Sequence, residues 1–246
     1  MCMFRLTLFL CLVSFVSANS ELKPLMNLPE KIIYSNDFSK DFKIKGSDWR
    51  PNQATQWKVN DGVLQGKEST KENQAKKDHH KGLEPRITFP ALPEKCIIKL
   101  SLKLDKGSET AKVPFIELNH HVVRMRIRTG FIDLVTDSET LQVAKADFSW
   151  QDGKWYELLA ERNGEEFIIQ IKNGPTLYAQ HPEFKNDAPS GSNGLGIAGK
   201  KSGFVEIDKV TIWEVKSKQQ NWLKSKESFA EYTPVKIAEK KVKKKK

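Results

Sequence analysis

The sequence predicts an all-β protein, an antiparallel sandwich or jelly roll of about eleven to thirteen strands followed by a disordered basic tail. Three observations carry this. In the stretch Trp150 to Tyr178, strand-forming runs at Trp155–Arg162 and Glu166–Lys172 flank Asn163-Gly164, and Asn173-Gly174 leads into Thr176–Tyr178. Asn-Gly between such runs is a hairpin signal, because both residues tolerate positive φ. From Cys96 to Leu104, Ile98, Leu100, Leu102 and Leu104 alternate with Lys99, Ser101 and Lys103, the pattern of a half-buried strand. No stretch before residue 218 has a helical period, whereas Gly, Asn and Pro recur at turn spacing.

Taken in order, residues 1–18 read as an export signal. Arg5 precedes the apolar run Leu6 to Val16, and Val16-Ser17-Ala18 offers small residues for cleavage after Ala18. The run is short for a membrane span and no later segment is apolar enough, so the chain is expected outside the cytoplasm (periplasm, cell surface or medium). Residues 19–33 form a leader with little pattern. The sandwich is assigned to 34–215. Tyr34 to Phe42 reads as a first edge strand and turn; Trp57–Val59 and Val63–Gln65 are short strands around Asn60-Asp61-Gly62. Residues 66–84 are polar and patternless, a loop. Arg86–Phe89, Val113–Leu118, His121–Arg128, Phe131–Thr136 and Thr140–Ala144 are further strands, and Leu195–Ala198 lies in a loop-rich section. Phe204 to Val215 closes the sandwich, with a bulge where its alternation breaks at Asp208-Lys209. Residues 216–246 are a Lys-rich tail in which Gln219 to Ala230 suits a short helix.

Cys96 is the one thiol left after cleavage, so no internal disulfide forms, and its apolar strand makes it a buried residue rather than a nucleophile. The formal charge is +10, but residues 216–246 hold eleven Lys and three Glu. Without that tail and Arg5, residues 19–215 carry a net +1. Nucleic-acid binding is therefore not expected, since its electrostatic footprint belongs on the folded face. The tail is either a solubilising end or a tether to anionic cell-surface polymer.

Four framework motifs bear a resemblance: W-x-V-x-D-G-x-L at Trp57–Leu64, G-K-W-Y-x-L at Gly153–Leu158, the Asn-Gly pairs of Asn163 to Gly174, and V-x-I-D-x-V-x-I-W at Val205–Trp213. Over roughly residues 34 to 215 the chain resembles concanavalin-like (laminin-G-like) jelly-roll domains, in particular the exported bacterial 3-keto-disaccharide hydrolase-like family. The resemblance implies sugar binding, or cleavage of oxidised glycosides, on a concave sheet. Glu206-Ile207-Asp208 matches only part of the E-x-D-x-x-E run of β-glucanases sharing this fold, because Val210 and Thr211 stand where the second Glu is required. By fold analogy, Asp37 and Asp208 are candidates for a structural Ca²⁺; no other cofactor is implied.

The densest polar cluster inside strands is Glu117, Asn119, His120, His121, Arg124, Arg126 and Arg128. Two readings fit the arginines, which share a face: a solvated outer surface, or a concave face gripping a carboxylated or sulfated sugar. Glu117 is then ion-paired to an Arg, or works with His120 or His121 as general acid/base. His80 and His181 are further ligand contacts, and no His pair has zinc spacing. Trp57, Trp155 and Trp213 are expected in the core; Trp49 and Trp150, in loops, are the sugar-stacking candidates; Trp222 pins the tail segment. The function expected is carbohydrate recognition, with a keto-glycoside or glycoside hydrolase and a tail-tethered envelope structural protein as alternatives.

Overall fold

The computed structural model describes residues 21–39, 42–90, 92–107, 113–136, 141–187, 194–229 and 231–237. The strands are β1 (Asn27–Asn36), β2 (Arg50–Pro51), β3 (Gln56–Asn60), β4 (Val63–Lys67), β5 (Arg86–Pro90), β6 (Cys96–Leu104), β7 (Phe115–Leu118) and β8 (Val123–Arg128). They continue with β9 (Phe131–Thr136), β10 (Leu141–Asp147), β11 (Trp155–Asn163), β12 (Glu166–Ile171), β13 (Thr176–Gln180), β14 (Gly194–Ala198), β15 (Phe204–Lys218) and β16 (Val235–Lys236). Two five-residue helices, α1 (Lys71–Ala75) and α2 (Trp222–Lys226), lie outside the sheets.

Sheet I runs β13-β12-β11-β6-β15-β4-β3, and sheet II runs β16-β10-β9-β8-β7-β14-β5-β2. The long β15 keeps β6 along one edge and divides its other edge between β4 and β1. Alternation fills the space between the sheets. Ile98, Leu100, Leu102, Leu158, Ile169 and Ile207 of sheet I join Ile87, Ile116, Met125, Ile132, Leu134 and Ile197 of sheet II in one core cluster. Each such side chain contributes about 1.5–3 kcal/mol by leaving water.

Local chemistry fixes the register. Asp61 and Gly62 both take positive φ between the paired Asn60 and Val63, closing the β3–β4 hairpin. In the β11–β12 hairpin Asn163 pairs with Glu166, so Gly164, at φ +60°, makes the turn. The bulge expected at Asp208-Lys209 is present: Ile207 lies opposite Leu102 and Val210 opposite Leu100, leaving one residue extra on β15. Cys96 is buried, and burial pushes its thiol up to about 12.

Three expectations need correction. The leader is not patternless chain, since β1 begins at Asn27; register shifts at Leu28/Pro29, Pro29/Ile32 and Ile32/Tyr34 break the alternation that would have revealed it. Leu25 and Met26 also belong to the fold, as the buried Glu161 carboxylate accepts the Leu25, Met26 and Asn27 amides at 2.6, 3.1 and 2.7 Å. The loop 66–84 contains α1, capped by Thr70 at 3.2 Å from the Asn73 amide and too short to show a period. The tail is not a separate polymer from residue 216. β15 reaches Lys218, Trp222 packs with Met26 and Ile168 in a second apolar cluster on sheet I, and β16 pairs with β10 at the edge of sheet II. Residues 1–18 and the lysines from Lys240 onward lie outside the described residues.

Candidate functional site

The outer face of sheet II holds one continuous row of paired residues: Arg124 on β8, Glu117 on β7, Gly196 on β14, Thr88 on β5 and Arg50 on β2. Two glycines at the outward parity of β14, Gly194 and Gly196, leave that part of the face as bare backbone. A methyl group on Gly196 would come within 2.6 Å of Glu117 Cγ, so the glutamate lies across the space a side chain would fill. The result is a groove of about 1000 Å³, walled by Arg50, Gln53, His80, Arg86, Glu117 and His120.

Glu117 is locked in this groove. It accepts from His120 Nδ1 at 2.9 Å on one oxygen and from Arg124 Nε and Nη2 at 3.1 and 2.5 Å on the other. Burial alone would raise its pKa, but the His120 hydrogen bond and the Arg124 charge outweigh it and hold the carboxyl down to about 2. The Arg124 guanidinium lies 4.0 Å over the Phe115 ring, and Arg86 approaches the same ring at 5.1 Å. Arg86 donates to Glu84 at 3.2 Å, while its Nε has no hydrogen-bond partner among the described residues. Burial is the main cause of the lowered Arg86 pKa.

The rim is built from backbone that ordinary residues rarely adopt. Of the residues lining the groove, Gln53 and His80 have φ of 55° and 54°. Gln53 Nε2 meets His80 Nδ1 at 3.2 Å, which ties the β2–β3 connection to the loop after α1. Non-glycine residues held in this region cluster at ligand clamps.

The structure gathers Glu117, His120 and His80 in one groove, with Arg124 behind Glu117. Arg126 lies beside them in the sheet but is committed to Asp133, at 2.9 and 2.6 Å, and Gln142 reaches the same carboxylate at 2.6 Å. His121 is exposed in the β7–β8 turn, its ring 3.9 Å from that of His120. His181 is elsewhere, capping the 3-10 turn Pro182–Lys185 through the Glu183 amide at 3.3 Å.

The tryptophans reverse their expected places. Trp49 is 1% exposed, a core residue against Phe38 and Phe89 that donates to Tyr34 at 2.8 Å, and it offers no shelf to a ligand. Trp150 is partly buried and packs 4.1 Å from Tyr156, away from the groove. Trp155, expected inside, is 37% exposed on sheet I, and Trp213 is half-buried on the same outer face. Trp57 packs partly buried against the core, as expected.

Asp37 follows β1, where Asn36 pairs with Val210, and Asp208 sits in the bulge two residues beyond. Among the described residues no group of three or more His, Cys, Asp or Glu side chains is placed to hold a metal, whereas Ca²⁺ takes six to eight oxygens. Glu206 lies on sheet I, bonded to Gln65 at 2.7 Å and paired with Lys103, on the opposite side of the sandwich from the groove.

Arg50, Gln53, Arg86 and Thr88 were not singled out in the sequence. The two-residue β2 that brings Arg50 to β5 has no pattern to detect. Gly194 and Gly196 alternating with Leu195 and Ile197 were the available signal of a bare outer face.

No protein-family model and no curated protein matches the sequence. Solved structures match the fold. The exoplasmic/lumenal domain of VIP36, in a Ca²⁺- and mannose-bound form, is 9% identical over 77% of this chain and 94% of its own, with a TM-score of 0.50. SCLam, a non-specific endo-β-1,3(4)-glucanase of family GH16, is 10% identical over 78% of this chain and 96% of its own, also at 0.50. The protein is a concanavalin-like jelly roll.

Proposed function

We propose that this concanavalin-like sandwich is a carbohydrate-recognition protein that binds its ligand in the groove on sheet II. The observation that carries the reading is a groove of about 1000 Å³ with a glycine floor and polar walls held in fixed geometry. A sugar presents hydroxyls in a rigid array, so a site gains from donors and acceptors that need no reordering. Glu117 is such an acceptor, pinned by Arg124 and His120. Arg50 and Arg86 line the groove and supply donors. Fold analogy adds support, since one solved structure of this fold is mannose-bound and another is a glucanase.

The finer part of the proposal is an anionic sugar. Arg50 and Arg86 wall the groove, Arg86 paired with Glu84, and the one carboxylate of the lining, Glu117, is already paired with Arg124. A guanidinium fork suits a uronate carboxylate or a sulfate. Export and tethering through the lysines after Lys236 belong to the same proposal.

A hydrolase reading would use Glu117 and His120. A carboxyl held near 2 is ionised at neutral pH and cannot act as the acid, and both its oxygens are occupied by His120 and Arg124, which a nucleophile or base would have to leave. The geometry therefore favours recognition. The test is retention of the mature protein on immobilised polysaccharides, compared with Arg50→Ala and His120→Ala. Retention on a uronate-containing polymer that weakens in both variants, with no sugar released, supports recognition. Retention equal in all three proteins removes the groove from the function, and product release that disappears in Glu117→Gln establishes an enzyme.

A further inference from the structure

We infer that the C-terminal strap, residues 216–237, is a docking edge for an anionic phospholipid bilayer. The inference deepens the tethering reading above, because it names the partner and the residues that meet it.

The strap closes one edge of the sandwich. β13 ends sheet I on that side, and β10, the last full strand of sheet II, packs beside it. The strap crosses from one to the other, with its anchors pointing inward. Trp222 is 1% exposed against Met26 and Ile168, stands 5.5 Å from the Tyr178 ring and donates to Glu166 at 3.0 Å. Phe229 follows at 5.4 Å from the same Tyr178 ring, Tyr232 donates to Gln142, and Val235 lies opposite Gln142. The groove on sheet II is at the other end of that sheet, on β7, β14, β5 and β2, so docking through the strap leaves it open.

What the strap turns outward is aliphatic and basic. Leu223, next to the buried Trp222, is 71% exposed, and Val235 is 52% exposed. Lys216, Lys218, Lys224 and Lys236 are exposed, while Lys218 and Lys226 reach the Glu166 carboxylate. Six further lysines and one Glu follow Ile237 in the sequence. Residues 216–246 hold eleven Lys and three Glu, a net +8, whereas residues 19–215 hold +1. Charge this lopsided orients the molecule, so the strap edge meets an anionic surface first. A bilayer and a charged polymer both answer that description, and the aliphatic side chains choose between them. Leu223 and Val235 leave water at the boundary between headgroups and acyl chains, whereas a polymer of charged groups gives them no such gain. The lysines supply the second signal that stable attachment requires.

The test is co-flotation of the full chain with vesicles of equal parts phosphatidylglycerol and phosphatidylcholine, and with phosphatidylcholine alone. The chain floats with the anionic vesicles only, and added salt weakens the binding. Lys243→Gln, Lys244→Gln, Lys245→Gln and Lys246→Gln together weaken it more than tenfold, since each lysine near the surface is worth about fivefold. Leu223→Gln, at an exposed position, weakens it about tenfold and does so in high salt as well. Arg50→Ala, in the sheet II groove, leaves it unchanged. Immobilised dextran sulfate offers the charge without acyl chains, and Leu223→Gln leaves retention there unaltered. Retention on dextran sulfate without vesicle binding would keep an electrostatic tether and overturn the bilayer. Absence of binding to anionic vesicles, equal binding to neutral ones, or vesicle binding untouched by Leu223→Gln would overturn the inference too.

Discussion

The outer faces of the two sheets are made by the same alternation, and ion pairs on them differ in how far they are withdrawn from water. On sheet II, Arg126 and Asp133 are 3% and 0% exposed and joined by two parallel hydrogen bonds. On sheet I, Lys172 and Glu157 form a pair partly open to water. A pair removed from water fixes geometry and is costly to break, while a solvated pair is exchangeable. Sheet II thus has a rigid floor beside its groove, and sheet I has an adaptable polar strip.

The largest expected break in that contrast is Asp133→Ala. It removes the bidentate acceptor from a buried guanidinium and destabilises the fold by about 3–5 kcal/mol, read by urea unfolding. The reverse result, a loss no larger than at an exposed pair, would mean that the sheet II pairs are solvated.

Acid separates the faces next. The folded Glu117 carboxyl lies at about 2, below its ordinary 4.5. A depressed carboxyl contributes stability that is present above pH 4.5 and lost as pH falls through 2. About 3 kcal/mol should disappear across that window, and Glu117→Gln should flatten the decline. An unchanged profile in Glu117→Gln would contradict the assignment.

Gly196→Ala comes third. The added methyl meets Glu117 Cγ at 2.6 Å, so the glutamate must leave its pocket. The expected cost is about 1–3 kcal/mol together with loss of groove binding. Wild-type affinity in this variant would show that the locked position of Glu117 is not needed. The smallest effect is expected on sheet I, where Lys172→Met should cost less than about 1 kcal/mol and less still in high salt.

Much of the fold was legible because period-two alternation and turn chemistry are local. The β6 strand, both hairpin turns of the β11–β13 meander and the Asp208-Lys209 bulge could all be read from neighbouring residues. Alternation says which residues share a face; it does not say which face another part of the chain covers. The arginines of β8 were assigned a common side correctly, but their burial depends on strands and loops distant in sequence. The misplaced tryptophans divide on the same line. Trp155 shares parity with Glu157 rather than with Tyr156 and Leu158, and Trp213 shares parity with Thr211, so their outward positions were available in the sequence. Trp49 sits outside any strand, and only tertiary packing against Phe38 and Phe89 decides its burial. Arg50 and Arg86 escaped notice for a similar reason, since the groove forms by pairing between β2, β5, β14 and β7.

The most direct measurement is an amide-resolved NMR titration of the ¹⁵N-labelled protein with a uronate oligosaccharide. The account predicts saturable shifts at Arg50, Gln53, His80, Gly194 and Gly196, and their loss in Arg50→Ala. Shifts absent at saturating oligosaccharide, or confined to sheet I, would contradict carbohydrate recognition in the sheet II groove.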